Sequence, residues 1–367
     1  MPEPIPEPPA PIIAPPGSGT EEPPEEVVRA PESVFDALSF WYDADARPAL
    51  EAFRRSCTVW KKSDANRVLH KDHPQYGRVA DWLPACTSAD TVTDNRDSAR
   101  AFFEREFLPV HFETNPTGLL TAYYRPEIQV TKTPTREFRE PVLATPEDES
   151  IKNRPRKDIT PNGTRVIAFG RPADVFFMQI QGSGILVFPD GARLGASYAD
   201  NNGYKYESIG KILIRRGELK QVSLQSIKTW MKEAGPVKSR ALMNENPRYI
   251  YFSDHPVVSG EEGPKGAASI PLTAMGSLAV DPQHYPYGLP IWIEVSIPQE
   301  EGDYEGKPEG LLLIAQDTGD AIRGVFRGDI YFGSGDEAGA RAGVMKHHGQ
   351  WTLLLPVALT RRVSPPV

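Results

Sequence analysis

Apolar positions between residues 33 and 107 recur every three and four residues, as in "SVFDALSFWYDADARPALEAFRRSCTVWKK". That spacing predicts amphipathic helices. "DSARAFFEREF" continues the pattern, with Asp97 as the expected N-cap. From Gly118 the period changes. "GLLTAYYRPEIQVTKT", "VIAFGRPADVFFMQIQGSGILVF" and "PRYIYFSD" are β-branched and aromatic runs bounded by Pro, Gly and Asp, and they predict strands. One helical interlude, "YKYESIGKILIRRGELKQVSLQSIKTWMKEAG", holds two amphipathic segments separated at Gly217. Strands resume in "SIPLTAMGSLAVD", "LPIWIEV", "GLLLIAQD" and "GDIYF"; a short helix, "DEAGARAGVMKHHG", and the strand "WTLLLPVAL" close the chain. Without regular β-α alternation a doubly wound parallel sheet is excluded, and a mainly β barrel or sandwich with a helical N-terminal cover is predicted.

Residues 1–32 stand apart. They are rich in Pro and Glu and lack periodicity, so a disordered or polyproline-like tether is expected. The remaining length is ample for two domains. A net charge of -8 and the absence of a basic cluster interleaved with aromatics argue against nucleic acid as a partner. No apolar run approaches the roughly 18 residues of a membrane span. The start shows neither the basic nor the apolar region of a signal peptide, so the tether reads as the mature start of a secreted chain. Two cysteines, Cys57 and Cys86, are compatible with buried thiols or with one disulfide.

Metal and cofactor chemistry find little support. There is no HExxH, CxxC or His-x-His, and His347-His348, read as helical, point about 100° apart. "FGSGDEAGARAG" imitates a nucleotide loop, but too little chain follows it for a βαβ unit, so it reads as a tight strand-to-helix turn. "MQIQGSGILVF" carries Gln179, Gln181 and Ser183 on an expected glycine-bearing hairpin. It lacks the Gly-x-Ser-x-Gly of a serine hydrolase, yet its amides and hydroxyl suit sugar hydroxyls and N-acetyl groups. In "GLLTAYYRPEI" a strand would place Thr121 and Tyr123 on one face and Tyr124 on the other.

The carboxylates are more informative. "LLLIAQDTG" looks like half of an aspartic protease, but that chemistry needs two such sites sharing a proton and only one is present. Asp281, Asp317 and Asp329 each sit at an apolar strand boundary. Used singly, such residues cap turns. If the three converge, burial and like charge would keep one protonated near neutrality, as glycosidic cleavage requires.

"SIPLTAMGSLAVD...LPIWIEV...LLLIAQDTGDAIRGVFRGDIYFGSGDEAGARAGVMKHHG" closely resembles the three-aspartate (3D) domain of the membrane-bound lytic transglycosylase A family. "GLLTAYYRPEIQ", "FFMQIQGSG" and "NENPRYIYF" resemble its upstream segments in the same order, so the likeness spans roughly residues 95 to 360. It implies a double-psi β-barrel domain (33–126 and 236–367) with a smaller β-barrel inserted at 127–235 and a glycan groove between them. It further implies cleavage of the β-1,4 bond between N-acetylmuramic acid and N-acetylglucosamine in peptidoglycan, with the muramic C6 hydroxyl closing a 1,6-anhydro ring. By this resemblance Asp329 is the acid and then the base, Asp317 and Asp281 shape its environment, and Thr121, Tyr123, Gln181 and Ser183 line the groove. No cofactor or metal is implied. The implied partner is peptidoglycan, with cell-wall machinery as a further partner, and a monomer in the periplasm is expected, with outer-membrane anchoring frequent in the family although no lipid-attachment cysteine stands at this start. That compartment favours the disulfide. A binding module for glycan and a hydrolytic muramidase are the rival readings. Two departures from the family pattern are Gly319-Asp320 in place of Gly-Gly and Met275-Gly276 in place of Gly-Arg.

Overall fold

The computed structural model describes residues 33–112, 117–257 and 263–359; the expected tether, residues 1–32, lies outside them. Three helices lead, α1 (Arg47–Trp60), α2 (Val79–Ala89) and α3 (Arg96–Glu106). Leu50, Phe53, Cys57 and Trp60 form the buried stripe of α1, as the three-and-four spacing predicted. Cys57 and Cys86 form a disulfide joining α1 to α2. The N-cap of α3 is Asn95, whose side chain accepts the Ser98 N–H at 2.9 Å, not Asp97. Asp97 instead occupies the first helical turn, where its charge faces the positive end of the helix and pairs with Arg100.

The chain then enters β1 (Phe107–His111) and β2 (Thr117–Arg125). Straight after β2 it builds β3 (Glu127–Thr131), β4 (Glu140–Leu143), the short α4 (Glu149–Lys152) and β5 (Val166–Gly170). Next come α5 (Pro172–Gln181), β6 (Ser183–Val187), β7 (Arg193–Asn201), α6 (Ile209–Arg215), α7 (Leu224–Asn244) and β8 (Ile250–Pro256). The C-terminal part comprises β9 (Ser277–Ala279), β10 (Pro290–Ile297), β11 (Lys307–Asp317), β12 (Arg327–Ser334), α8 (Gly335–Ala342) and β13 (Lys346–Pro356).

Strands β13, β10, β11, β9, β12 and β2 hydrogen-bond in that order, and β2 pairs back to β13, closing a six-stranded barrel; β1 adds to the outside of β13. The pairs β9–β11 and β2–β12 are parallel, the others antiparallel. Closure leaves the barrel no open edge. A second sheet runs β4-β5-β3-β6-β7-β8. The expected smaller barrel is thus a six-stranded sheet; its end strand β4 is tied to the chain around it, as Tyr249 OH, just before β8, donates to the Pro141 carbonyl at 3.2 Å and Arg240 of α7 pairs with Glu140. It extends past residue 235, because the strand after α7 returns to pair with β7.

Two local expectations change. "ADVFFMQIQ" is the helix α5, not a strand, and it stops at Gly182, whose φ of +77° glycine adopts without strain. It reads as a strand because it is apolar on two sides: Val175 and Met178 face the sheet core, while Phe176 and Phe177 pack with α6 and α7. His347 and His348 lie on β13 beyond the end of α8, so they alternate across a strand rather than diverge around a helix. Gly217 does break the helical interlude, at φ +71° between α6 and α7.

One buried polar joint fastens the helices to the barrel. Gln316, on β11, donates to the Ala52 carbonyl (2.6 Å) and Ser56 Oγ (2.8 Å) of α1, and accepts the Ser277 hydroxyl at 2.6 Å. All three of its hydrogen bonds are buried. Gln316→Leu should therefore cost about 2–4 kcal/mol, since several groups lose their partners where water cannot replace them. Urea unfolding checks this, and a loss below about 1 kcal/mol would refute the joint's importance.

Candidate active site

Parallel pairing sets Asp329 opposite Thr121 and Tyr331 opposite Tyr123. Leu120 and Ile330 are fully buried in the barrel core, so the alternation along each strand turns Thr121, Tyr123, Asp329 and Tyr331 to the other face. Strand β9 lies between β11 and β12, and Ala279 is the register partner of both Asp317 and Asp329. Asp281 follows two residues later, so the ends of three neighbouring strands bring the three aspartates to one region.

Their environments differ. The Thr121 hydroxyl donates to Asp329 Oδ1, and Arg327 Nη2 donates to Thr121 Oγ1 at 2.9 Å. Asp329 retains some solvent exposure but is crowded by protein, and burial pushes its pKa up to about 6 against the opposing pull of Thr121 and Arg327; the charge of Asp317 adds a smaller push. Asp317 is saturated with donors. Ala267 N–H and Thr318 N–H both reach Oδ1 at 2.9 Å, and Tyr123 OH reaches Oδ2 at 2.8 Å. Burial still holds its pKa above the ordinary carboxylate value. Asp281 goes the other way. Burial would raise its pKa, but the backbone N–H groups of Gly324 (2.8 Å) and Gln283 (3.1 Å), with the nearby Arg323, hold it below the usual range. It is an ionised anchor for the β11–β12 loop.

The other expected site residues divide in two. Thr121 and Tyr123 belong to the cluster, each bonded to an aspartate. Gln181 spends its Oε1 on the Tyr124 backbone N–H at 3.0 Å, and Ser183 is buried on β6. Among the described residues neither is hydrogen-bonded to the carboxylates. They mark the junction where β2 passes into the second sheet. Gln179 lies within the second unit, accepting from Arg156 Nη1 at 2.6 Å.

Sequence reading did not single out Arg327, Tyr331, Tyr287 or the Ala267 amide. Arg327 had a signal, standing two residues before Asp329 on the same strand face. Tyr287 lies among Asp317, Thr318, Asp281 and Arg323, and burial pushes its pKa up to about 12. Asp320 does not act on Asp329: its carboxylate meets Arg248 Nη1 at 2.5 Å, tying the β11–β12 loop to the segment before β8. Gly276 is required by packing, because a Cβ there would lie 2.3 Å from the Pro48 carbonyl oxygen at the start of α1. No group of three or more His, Cys, Asp or Glu among the described residues is arranged to hold a metal.

Comparison with known proteins agrees with this architecture. The family model for the MltA specific insert domain matches residues 149–253, and that for the 3D domain matches residues 276–355. The chain is 36% identical over 248 residues to membrane-bound lytic murein transglycosylase A of Escherichia coli K12, an alignment covering 64% of each protein's length. The crystal structure of the E. coli protein with bound chitohexaose superposes with a TM-score of 0.65 at 29% identity, covering 85% of this chain and 90% of that one. The crystal structure of a membrane-bound lytic murein transglycosylase from Agrobacterium tumefaciens gives a TM-score of 0.75 at 30% identity, covering 89% of this chain and 98% of that one. With the insert, the 3D domain and the barrel all matched in order, the chain belongs to the membrane-bound lytic murein transglycosylase A family.

Proposed function

We propose that this protein is a lytic transglycosylase of peptidoglycan, cleaving the β-1,4 bond between N-acetylmuramic acid and N-acetylglucosamine with Asp329 as its single acid and base. The supporting observation is the contrast between two neighbouring carboxyls. Asp329, at a pKa of about 6, holds a proton under mildly acidic conditions. Asp317 has both oxygens engaged by donors, from Tyr123, Ala267 and Thr318. A retaining hydrolase needs a second carboxylate as nucleophile, and an inverting one needs it as base for water. With one proton-transfer group, the attacking oxygen is best supplied by the substrate.

The proton balance then closes. Protonated Asp329 gives its proton to the departing C4 oxygen of N-acetylglucosamine as the C1–O bond breaks. The muramic C6 oxygen bonds to C1 and passes its proton to the Asp329 carboxylate, which is thereby restored. Water takes no part. Thr121 orients the acid, Tyr123 fixes Asp317, and Asp281 holds the β11–β12 loop. Gln181 and Ser183 contribute at the junction of barrel and second sheet. The substrate lies in the periplasm, and a disulfide suits that oxidising compartment. No helix among the described residues is long and apolar enough to cross a membrane.

Digestion of purified peptidoglycan followed by mass spectrometry tests the reading. Muropeptides one water lighter than hydrolysed ones are the expected products. Reducing-end products would instead establish a muramidase, and an absence of products with glycan still bound would favour a binding module.

A further inference from the structure

The face of β2 that carries Thr121 and Tyr123 continues to Arg125. Its side chain is only 3% exposed. Nε donates to Ser334 Oγ at 3.2 Å, while Nη2 is buried with no hydrogen-bond partner. No ion pair compensates it among the described residues. Glu127, two residues on, is taken by Arg193 at 2.5 Å. A buried guanidinium without an anion in contact is costly, because it gives up water and here receives only the distant pull of Glu127, which Arg193 offsets.

Its surroundings add to the positive character. Ser334 is the N-cap residue of α8, yet its side chain makes no capping bond. The hydroxyl instead lies 3.2 Å from Tyr331 OH as well as near Arg125. The helix N-terminus, with its unsatisfied amides, therefore adjoins the unpaired arginine. Asp336 and Glu337 of the first turn are exposed, and neither bonds to Arg125. Arg125 lies about 13 Å along β2 from Thr121, at roughly 3.3 Å per residue. It is thus displaced from the acid along the strand face that carries the acid's partners.

We infer that Arg125, Ser334 and the start of α8 form an anion subsite that takes a carboxylate borne by the muramic acid side chain. Two sources share this chemistry, the lactyl carboxylate of a peptide-free strand and a carboxylate of an attached peptide stem. The inference rests on the glycan reading above and deepens it: the residue selects acid-bearing muroglycan over neutral chitin-like glycan. Arginine suits this role because its planar fork meets a carboxylate with two parallel hydrogen bonds.

The test uses Asp329→Asn protein, in which ligands survive, with and without Arg125→Met. Titration calorimetry compares muroglycan oligomers carrying peptides, the same oligomers stripped of peptide, and neutral chitohexaose. Arg125→Met should lower the preference for acid-bearing glycan over chitohexaose by about tenfold or more, the scale of a lost charge-assisted bond. Loss confined to peptide-bearing oligomers assigns the stem carboxylate; loss confined to the stripped oligomers assigns the lactyl carboxylate, which an attached peptide converts to an amide; loss with both shows that the subsite takes either carboxylate. Arg125→Lys should recover part of the preference, a recovery that a purely packing role would not give. An equal loss on all three ligands, or no loss on either acidic one, overturns the subsite. If the parent Asp329→Asn protein binds none of the three, the glycan reading itself falls.

Discussion

Asp329→Asn should reduce turnover of peptidoglycan by about a hundred- to ten-thousandfold, the range expected when a positioned general acid is removed. The substitution preserves shape, and the amide oxygen can still accept the Thr121 hydroxyl that reaches Asp329. Glycan affinity should therefore persist. Stability should move in the opposite direction. The folded-state pKa of Asp329 lies near 6, above its ordinary value of 3.8. The fold thus disfavours the charged form, and this penalty grows as pH rises from about 4 through about 6, then stays constant. Asparagine carries no charge to penalise. At pH 7 to 8 the variant should gain about 1–2 kcal/mol after allowance for the partial exposure of the site. Muropeptide release and urea unfolding read the two effects separately. An Asp329→Asn enzyme that still turns over, beside a dead Asp317→Asn enzyme, would transfer the acid's role to Asp317, whose pKa is also raised by burial.

The pH profile carries the second large effect. The acid must be protonated when substrate binds, so kcat/KM should be flat below a pH of about 6 and fall tenfold for each further unit. Between pH 5 and pH 8 that is a loss of about a hundredfold, as the protonated fraction drops from about nine-tenths to about one-hundredth. Thr121→Val should shift the descending limb upward. It removes a hydroxyl donor that favours the charged form, leaving burial less opposed. Initial rates in buffers of constant ionic strength decide the matter. A profile that rises through this range would mean that Asp329 acts as a base in the rate-determining step.

Much of the architecture was legible along the chain, for a reason visible in individual elements. α1 declares itself by Leu50, Phe53, Cys57 and Trp60 on one stripe, because a helix half in contact with a core must repeat its apolar residues at the helical period. α5 did not. With the sheet core on one side and α6 and α7 on the other, its run of Val, Phe and Met has no polar face to reveal the period. The α3 cap lies two residues before Asp97, since Asn95 and Asp97 are both good capping types and only geometry distinguishes them. His347 and His348 continue the polar pattern of α8, but that helix ends at Ala342 and the two lie on β13.

The candidate site divides along the same line. Three aspartates at apolar strand ends are a local pattern, readable because a strand that delivers a carboxylate to a barrel rim must be apolar up to that point. The roles of the three are not local. Thr121 meets Asp329 across 208 residues of chain and Tyr123 meets Asp317 across 194, while Asp317 takes a further hydrogen bond from the amide of Ala267. Backbone donors lower the pKa of Asp281, one from nearby Gln283 and one from Gly324 43 residues on, and burial raises that of Asp329. Helical period, strand ends and the presence of three acids are properties of short segments, set by each residue's own chemistry. Which acid keeps its proton, and that Arg125 has no ion-pair partner among the described residues, follow from desolvation and from donors brought together by barrel closure.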